Sequence, residues 1–335
     1  MSACRKGFSD RRLAPPAMTR TAGRVCPLAY RYGAAALARA PERVVDTLYV
    51  VGGLYGNLPA LARVSALFAA ERGSAALCFN GDFNWFNVDE ASFVAINEVV
   101  LANDAIVGNV EAELVAPQAG AGCGCAYPES VDDAVVERSN RIHARLQATA
   151  TRHPAIIGRL AKLPMFARYR VGEVTVGVVH GDADSLAGWR FAAAALDDVG
   201  NRQWIDEVFA AAAVDIFAST HTCLPALRSF GEGHRPRVVI NNGAAGMPNF
   251  AGQPDGLLTR IALSPSPHPM LYGLRAAGLH VDALPIVFDA GRWQEQFLAN
   301  WPPGSAAWLS YYERIRNGPP YSRQQAMPPA SEPLA

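Results

Sequence analysis

Four polar side chains stand directly behind apolar runs in this chain: Asp82, Asn109, His180 and His221. One carboxylate, one amide oxygen and two imidazoles make a donor set suited to a hard-to-borderline divalent ion such as Mn²⁺, Fe²⁺ or Zn²⁺. Singly each means little, since a histidine behind a strand is usually satisfied by its neighbours and an asparagine ahead of a helix usually caps it. Their joint placement is the signal, because strand carboxyl ends in an open α/β sheet converge on one crevice. Glu111 and Asp184 lie close in sequence to these residues and are candidates for a catalytic base or for a group that orients a ligand. A helix-start carboxylate or a surface charge accounts for them equally well. Tyr55 and Cys223 are further candidate ligands when deprotonated, and a thiolate favours Zn²⁺ or iron. Asparagines gather at the same strand ends, and of these Asn84 and Asn242 are expected to touch substrate. Cys123 and Cys125 reach the same place if the Gly-rich loop around them folds over the cleft, but Cys-Gly-Cys is tighter than a zinc-knuckle spacing and a loop with incidental thiols fits them at least as well.

The elements that must position these residues alternate. Residues 46–53 form a nearly continuous apolar run, the pattern of a strand buried on both faces. Gly52 and Gly53 turn the chain, Asn57 caps a helix and Pro59 falls in its first turn, where its missing N–H costs little. Strands follow at 76–80 and 105–107, separated by helical text over 89–101, so the opening third reads strand, helix, strand, helix, strand. A charged helix over 131–150 belongs to an insertion of about residues 116–165. Strands return at 167–171, 173–180, 215–219, 237–240, 257–263 and 281–288. Helices at 292–298 and 305–316 close a domain over residues 41–317. Residues 1–40 read as a poorly ordered basic extension, and residues 318–335 as a Pro-rich disordered tail.

Thirty basic and thirty acidic residues give a formal net charge of zero in 335 residues. A neutral chain has no global attraction for nucleic acid or an anionic membrane, so phosphate recognition has to be local. That favours a small phosphorylated substrate held in a pocket. Six cysteines are too sparse for a disulfide scaffold. No run of ~18 apolar residues spans a bilayer, and the N-terminal segment lacks the apolar core of a secretory signal; a cytoplasmic location is expected.

The polar blocks occur in a telling order. Gly53-Leu54-Tyr55-Gly56-Asn57, Gly81-Asp82, Gly108-Asn109-Val110-Glu111, His180-Gly181-Asp182 and Thr220-His221-Thr222-Cys223 resemble the five signature blocks of the calcineurin-like metallophosphoesterases. Those blocks read Asp-x-His-Gly-Asn, Gly-Asp, Gly-Asn-His-Glu/Asp, His and Gly-His-x-His. Asn241-Asn242-Gly243-Ala244 resembles the Asn-x-Gly-Ser turn that often follows. The similarity spans about half the chain, and its strength lies in order and context. It implies an α/β/β/α sandwich: two mixed sheets flanked by helices.

In that family two metal ions about 3.5–4 Å apart clamp a displacement at phosphorus. By position, the resemblance makes Asp82 the bridging carboxylate and Asn109, His180 and His221 the rest of the second site. The first site keeps only Asp82: its Asp falls on Gly53, its first His on Tyr55 and its last on Cys223. The His that serves the leaving group or the phosphate falls on Val110. Three functions fit this set. The chain is a phosphoesterase with a remodelled pair of metals, a mononuclear one that hydrolyses a phosphate mono- or diester with metal-activated water, or a binding or regulatory module that kept the fold and lost catalysis.

Overall fold

The computed structural model describes residues 21–230 and 237–328. Twelve strands are present among them: β1 (Glu42–Val45), β2 (Thr47–Val51), β3 (Ala75–Asn80), β4 (Asp104–Ile106), β5 (Phe166–Val171), β6 (Val174–Val179), β7 (Ile216–Ser219), β8 (Pro225–Ser229), β9 (Val238–Asn242), β10 (Gly256–Ala262), β11 (Tyr272–Ala276) and β12 (Leu279–Ile286). They form two six-stranded sheets, in the orders β1-β5-β6-β7-β9-β8 and β11-β12-β10-β2-β3-β4. Both are mixed: β2, β3 and β4 run parallel, as do β6, β7 and β9, while β10 pairs antiparallel with β2 and β8 antiparallel with β9.

The sheets pack face to face, and strand alternation decides which side chain goes where. In β2, Leu48 and Val50 enter the layer between the sheets beside Val176, Val178 and Ile216. Tyr49 and Val51 point the other way, onto Leu61, Val64 and Leu67 of the helix Leu58–Ala69 and Ile96 and Val100 of the helix Glu90–Val100. Both faces are covered, which is why the strand reads as a continuous apolar run. On the far side Val179, Phe217 and Val239 pack beneath Ile205, Val208 and Phe209 of the helix Arg202–Ala212. The α/β/β/α sandwich is therefore as expected. The C-terminal ends of β3, β4, β6 and β7 carry Asp82, Asn109, His180 and His221 to one rim of the sandwich, two from each sheet.

Three edge or near-edge strands have no counterpart in the sequence reading. β1 exposes three of its four residues, β8 starts on a proline, and β11 carries Gly273 and Arg275. The termini differ from expectation as well. Residues 21–40 pack onto the sandwich through Tyr30, Ala34 and Leu37, all buried, because apolar residues sit among the basic ones. Tyr321 is buried and its hydroxyl donates to the Pro225 carbonyl, while Arg228 holds the carbonyls of Gln325 and Ala326 from the short helix Arg323–Ala326. Residues 1–20 and 329–335 lie outside the described residues.

Candidate metal centre

His180 is the hub of the rim. It is fully buried, and its Nδ1 lies 2.8 Å from the Asn80 carbonyl oxygen. A carbonyl only accepts, so Nδ1 carries the hydrogen and Nε2 presents its lone pair to the cavity. Three further atoms converge on that Nε2: Asn109 Oδ1 at 3.0 Å, Asp82 Oδ2 at 3.3 Å and His221 Nδ1 at 3.3 Å. Each is oriented from behind. Asn109 Nδ2 donates to the Cys123 carbonyl at 3.0 Å, which turns its oxygen inward. His221 Nε2 lies 3.2 Å from the Cys125 carbonyl, so its hydrogen is there and its other nitrogen is bare. Asp82 Oδ1 accepts from the Val110 amide at 3.1 Å, leaving Oδ2 free. Four lone pairs thus meet in a buried space, which is repulsive unless a cation sits among them or a proton settles on His180. The donor set fits a divalent ion on chemistry alone: the carboxylate and the two imidazoles have ligand atoms all within 4.8 Å of one another.

The glycines of the motif blocks exist to permit this convergence. A Cβ on Gly81 would lie 2.5 Å from the Gly108 Cα and 2.7 Å from His180 Nδ1, and one on Gly108 would lie 2.4 Å from Asp82 Oδ1. The ends of β3, β4 and β6 approach too closely for any side chain. Backbone strain gathers at the same place: Tyr55, Asp82 and Cys223 adopt φ of 55°, 52° and 61°. Left-handed non-glycine residues of this kind concentrate at ligand sites.

Burial by itself would raise the Asp82 carboxyl, but His180, then His221 and the Val110 amide, outweigh it and hold the carboxyl below its ordinary range. Burial would likewise depress His180, yet Asp82 more than offsets that and its pKa lies above the usual imidazole value. His221 is pushed down to about 3, by burial first and the positive charge of His180 second. Both shifts favour a protonated His180 facing an ionised Asp82.

Two solved structures share this fold. The chain superposes on a hypothetical protein from Pyrococcus horikoshii OT3 with a TM-score of 0.54 at 15% identity, covering 83% of this chain and 100% of that one. It superposes on a metallophosphoesterase from Sphaerobacter thermophilus with a TM-score of 0.50 at 18% identity, covering 79% and 98%. The chain has the calcineurin-like metallophosphoesterase fold. No protein-family model matches the sequence, and no curated protein is significantly similar to it.

Within the metallophosphoesterase fold, the candidate residues part company. Asp82, Asn109, His180 and His221 meet as expected. Tyr55 and Cys223, considered as ligands of a remodelled first site, are instead bound to each other, with the Tyr55 hydroxyl 2.8 Å from the Cys223 sulfur. Cys223 is not part of the donor cluster. A Cβ on Gly53 would lie 2.7 Å from the Tyr55 ring, so that ring fills the space a side chain at position 53 would need. Burial holds both the Tyr55 phenol and the Cys223 thiol protonated.

Glu111, a candidate base, is not free to act as one. It is fully buried and accepts from the amides of Asp82 (2.8 Å), Asn84 (3.0 Å) and Gly108 (3.2 Å). It ties the β3 and β4 loops together; burial, then Asp82, push its pKa up to about 7. Glu111→Ala leaves those donors buried without an acceptor, at ~1–3 kcal/mol each before relaxation. A loss of about 3–5 kcal/mol is expected in urea denaturation of the metal-free protein.

Asp184, the other candidate base, faces elsewhere: its carboxylate accepts from the Ala34 amide and from Trp204 Nε1, beside a separate cleft of ≈ 930 Å³. Asn84 does not line the cavity in front of the hub; it is fully buried and spends its amide on Asn87, Asn97 and Glu111. Asn242 is also buried and donates to the Val50 carbonyl, pinning one sheet to the other. Type and position cannot separate a buried polar scaffold from a ligand contact, and the structure places these four in the scaffold around the hub or beside another cleft.

The cavity in front of the hub measures ≈ 50 Å³ and is lined by aromatic and apolar groups, among them Trp85, Tyr127, Trp189, Met247 and Tyr311. Trp189 stands over His221 with ring centroids 5.2 Å apart. Tyr127 and Tyr311 come from the insertion and from the helix Ala306–Asn317. No local sequence signal marks them; only long-range packing brings them here. Among the described residues no Lys or Arg lines the cavity, and Asp82 is the one carboxylate that does.

Proposed function

We propose that this chain is a mononuclear metal-dependent phosphoesterase for a small, singly charged phosphate ester, a diester rather than a monoester. The observation that carries the reading is the meeting of Asp82 Oδ2, Asn109 Oδ1 and His221 Nδ1 on His180 Nε2. A divalent ion held by these residues supplies Lewis acidity and lowers the pKa of water towards ~7. The residues around it set what can react. With Asp82 as the cavity's one charge, a divalent ion leaves a net single positive charge, which balances a phosphodiester monoanion but leaves a monoester dianion in excess. The aromatic rim excludes bulk water and strengthens that preference. Val110 offers no proton, so the leaving group departs unassisted or takes a proton from the Tyr55–Cys223 pair, which favours acidic, aryl-type leaving groups. Tyr55 fills the first site, which supports one ion rather than two.

A binding role without turnover draws on one of the same observations, the valine where a proton donor would serve. Elemental analysis with hydrolysis assays separates the two. After loading with Mn²⁺, Fe²⁺ or Zn²⁺, wild type is expected to hold one ion per chain and to cleave bis(p-nitrophenyl) phosphate at least ~10-fold faster than p-nitrophenyl phosphate, a gap of about 1.4 kcal/mol. Asp82→Asn is expected to lose both properties. Metal without turnover favours the binding module; a second ion, lost in Cys223→Ser, restores the remodelled pair; no metal in wild type removes the enzymatic reading altogether.

A further inference from the structure

The loop that carries Cys123 and Cys125 does fold over the cleft, but not to offer thiols. The two cysteines are joined as a disulfide, and the loop turns its carbonyls to the hub. The Cys123 carbonyl accepts from Asn109 Nδ2, and the Cys125 carbonyl accepts from His221 Nε2 and, at 3.0 Å, from Trp189 Nε1. Two of the four proposed ligands, and the indole over one of them, thus take their orientation from a three-residue loop. We infer that the Cys123–Cys125 disulfide is a redox-sensitive clamp on the metal centre: closed, it aims Asn109 Oδ1 and His221 Nδ1 at the ion, and reduced, it lets them swing away. The inference rests on the metal-site reading above.

Several features single out this loop as a clamp rather than a general staple. Bridging residues two apart restricts the unfolded chain very little, so the bond adds little to global stability by chain entropy. Its effect is local. The loop is seated by few other ties: the Cys123 amide on Asn140 Oδ1, the Gly124 amide on the Ala121 carbonyl, and a close fit over the buried Tyr30–Glu113 pair, where a Cβ on Gly124 would meet the Tyr30 hydroxyl at 2.7 Å. Cys123 is fully buried, whereas Cys125 lines the cavity wall, so of the two sulfurs Cys125 is the nearer to an approaching reductant. Groups that orient metal ligands from behind are worth about 10–100-fold in metal affinity, so releasing two of them at once should be readily measured. Reduction breaks one S–S bond and forms two thiols; the two electrons and two protons come from a cellular dithiol, which becomes a disulfide, or in the test from a phosphine and water, which become the phosphine oxide.

Mn²⁺ is the probe of choice, because it is a poor thiolate partner and will not be captured by the freed cysteines. Wild-type protein is oxidised, or reduced with a carboxyethyl phosphine and desalted without air. Free Mn²⁺ is then counted by electron paramagnetic resonance across a titration, and the thiols by mass after alkylation. The reduced form is expected to bind Mn²⁺ at least 10-fold more weakly than the oxidised form. Its metal-free thermal midpoint should change little, so that weaker Mn²⁺ binding reports the centre and not loss of the fold. Cys123→Ser/Cys125→Ser is expected to bind as weakly as the reduced form under both conditions. Equal affinity of oxidised and reduced wild type overturns the clamp while leaving the metal site standing. Absence of Mn²⁺ binding in the oxidised form overturns the metal reading and the clamp with it.

Discussion

His180→Ala is expected to empty the metal centre and to abolish phosphodiester cleavage. The imidazole supplies the atom on which the other three donors converge, so its removal opens a hole where the ion would sit and leaves Asp82 buried without the partner that holds its carboxyl down. Loss of a group behind a ligand costs about 10–100-fold in affinity; loss of a ligand itself should exceed 100-fold. With no ion, several kcal/mol of charge stabilisation go, and a fall in turnover of at least ~10³-fold is expected.

The same substitution should remove a pH dependence. In wild type the His180 pKa is raised by Asp82 against the opposing pull of burial, so protons compete with metal from above the ordinary imidazole value downward. Metal affinity should be flat at high pH and fall about tenfold per unit once pH drops through that raised value, one proton being displaced per ion. His221, already pushed to about 3, stays neutral over this window and adds no second step. Titration of wild type with Mn²⁺ at several pH values, beside elemental analysis of His180→Ala, checks both halves. Retention of stoichiometric metal by His180→Ala would refute the proposed hub.

The hub was legible in the sequence because its geometry is written into strand ends. β2, β3, β6 and β7 are buried runs, and glycines at positions 81 and 108 stand where backbone meets backbone. Those features are local, and the order of the blocks ties them to one fold. What was not legible is the division of labour among buried polar groups. Glu111, Asn84 and Asn242 look like site residues because they stand at strand ends, yet Glu111 accepts from loop amides, Asn84 bonds the side chains of Asn87, Asn97 and Glu111, and the Asn242 amide donates to the Val50 carbonyl. The cavity wall was illegible for a different reason. Tyr127 and Tyr311 line one cavity from elements almost two hundred residues apart, and no periodicity records such a meeting. The Cys-Gly-Cys loop falls between these cases: a place over the cleft was one of two readings its sequence allowed, and the carbonyls it turns to Asn109 and His221 leave no mark in the spacing.

The second large effect concerns the filled first site. Gly53→Asp is expected to destabilise the protein by about 2–5 kcal/mol, because the new Cβ falls 2.7 Å from the Tyr55 ring and overpacking a buried position costs ~1–3 kcal/mol. Like-charge repulsion from Asp82 adds to this. Backbone conformation adds least, since φ at Gly53 is +60° and aspartate tolerates the left-handed region better than most residues. Tyr55→His removes the ring that causes the clash. The two changes should therefore couple, with Gly53→Asp/Tyr55→His more stable than the sum of its parts by ~1–3 kcal/mol in a urea double-mutant cycle. Adding Cys223→His completes an Asp, His, His set around the shared Asp82. With metal at 100 times its dissociation constant, a second bound ion would return about 2.7 kcal/mol, and elemental analysis should rise from one ion per chain to two. Additive stabilities with the count still at one would mean that something other than the Tyr55 ring closes the first site. A count of two in wild type would mean that the ring never closed it.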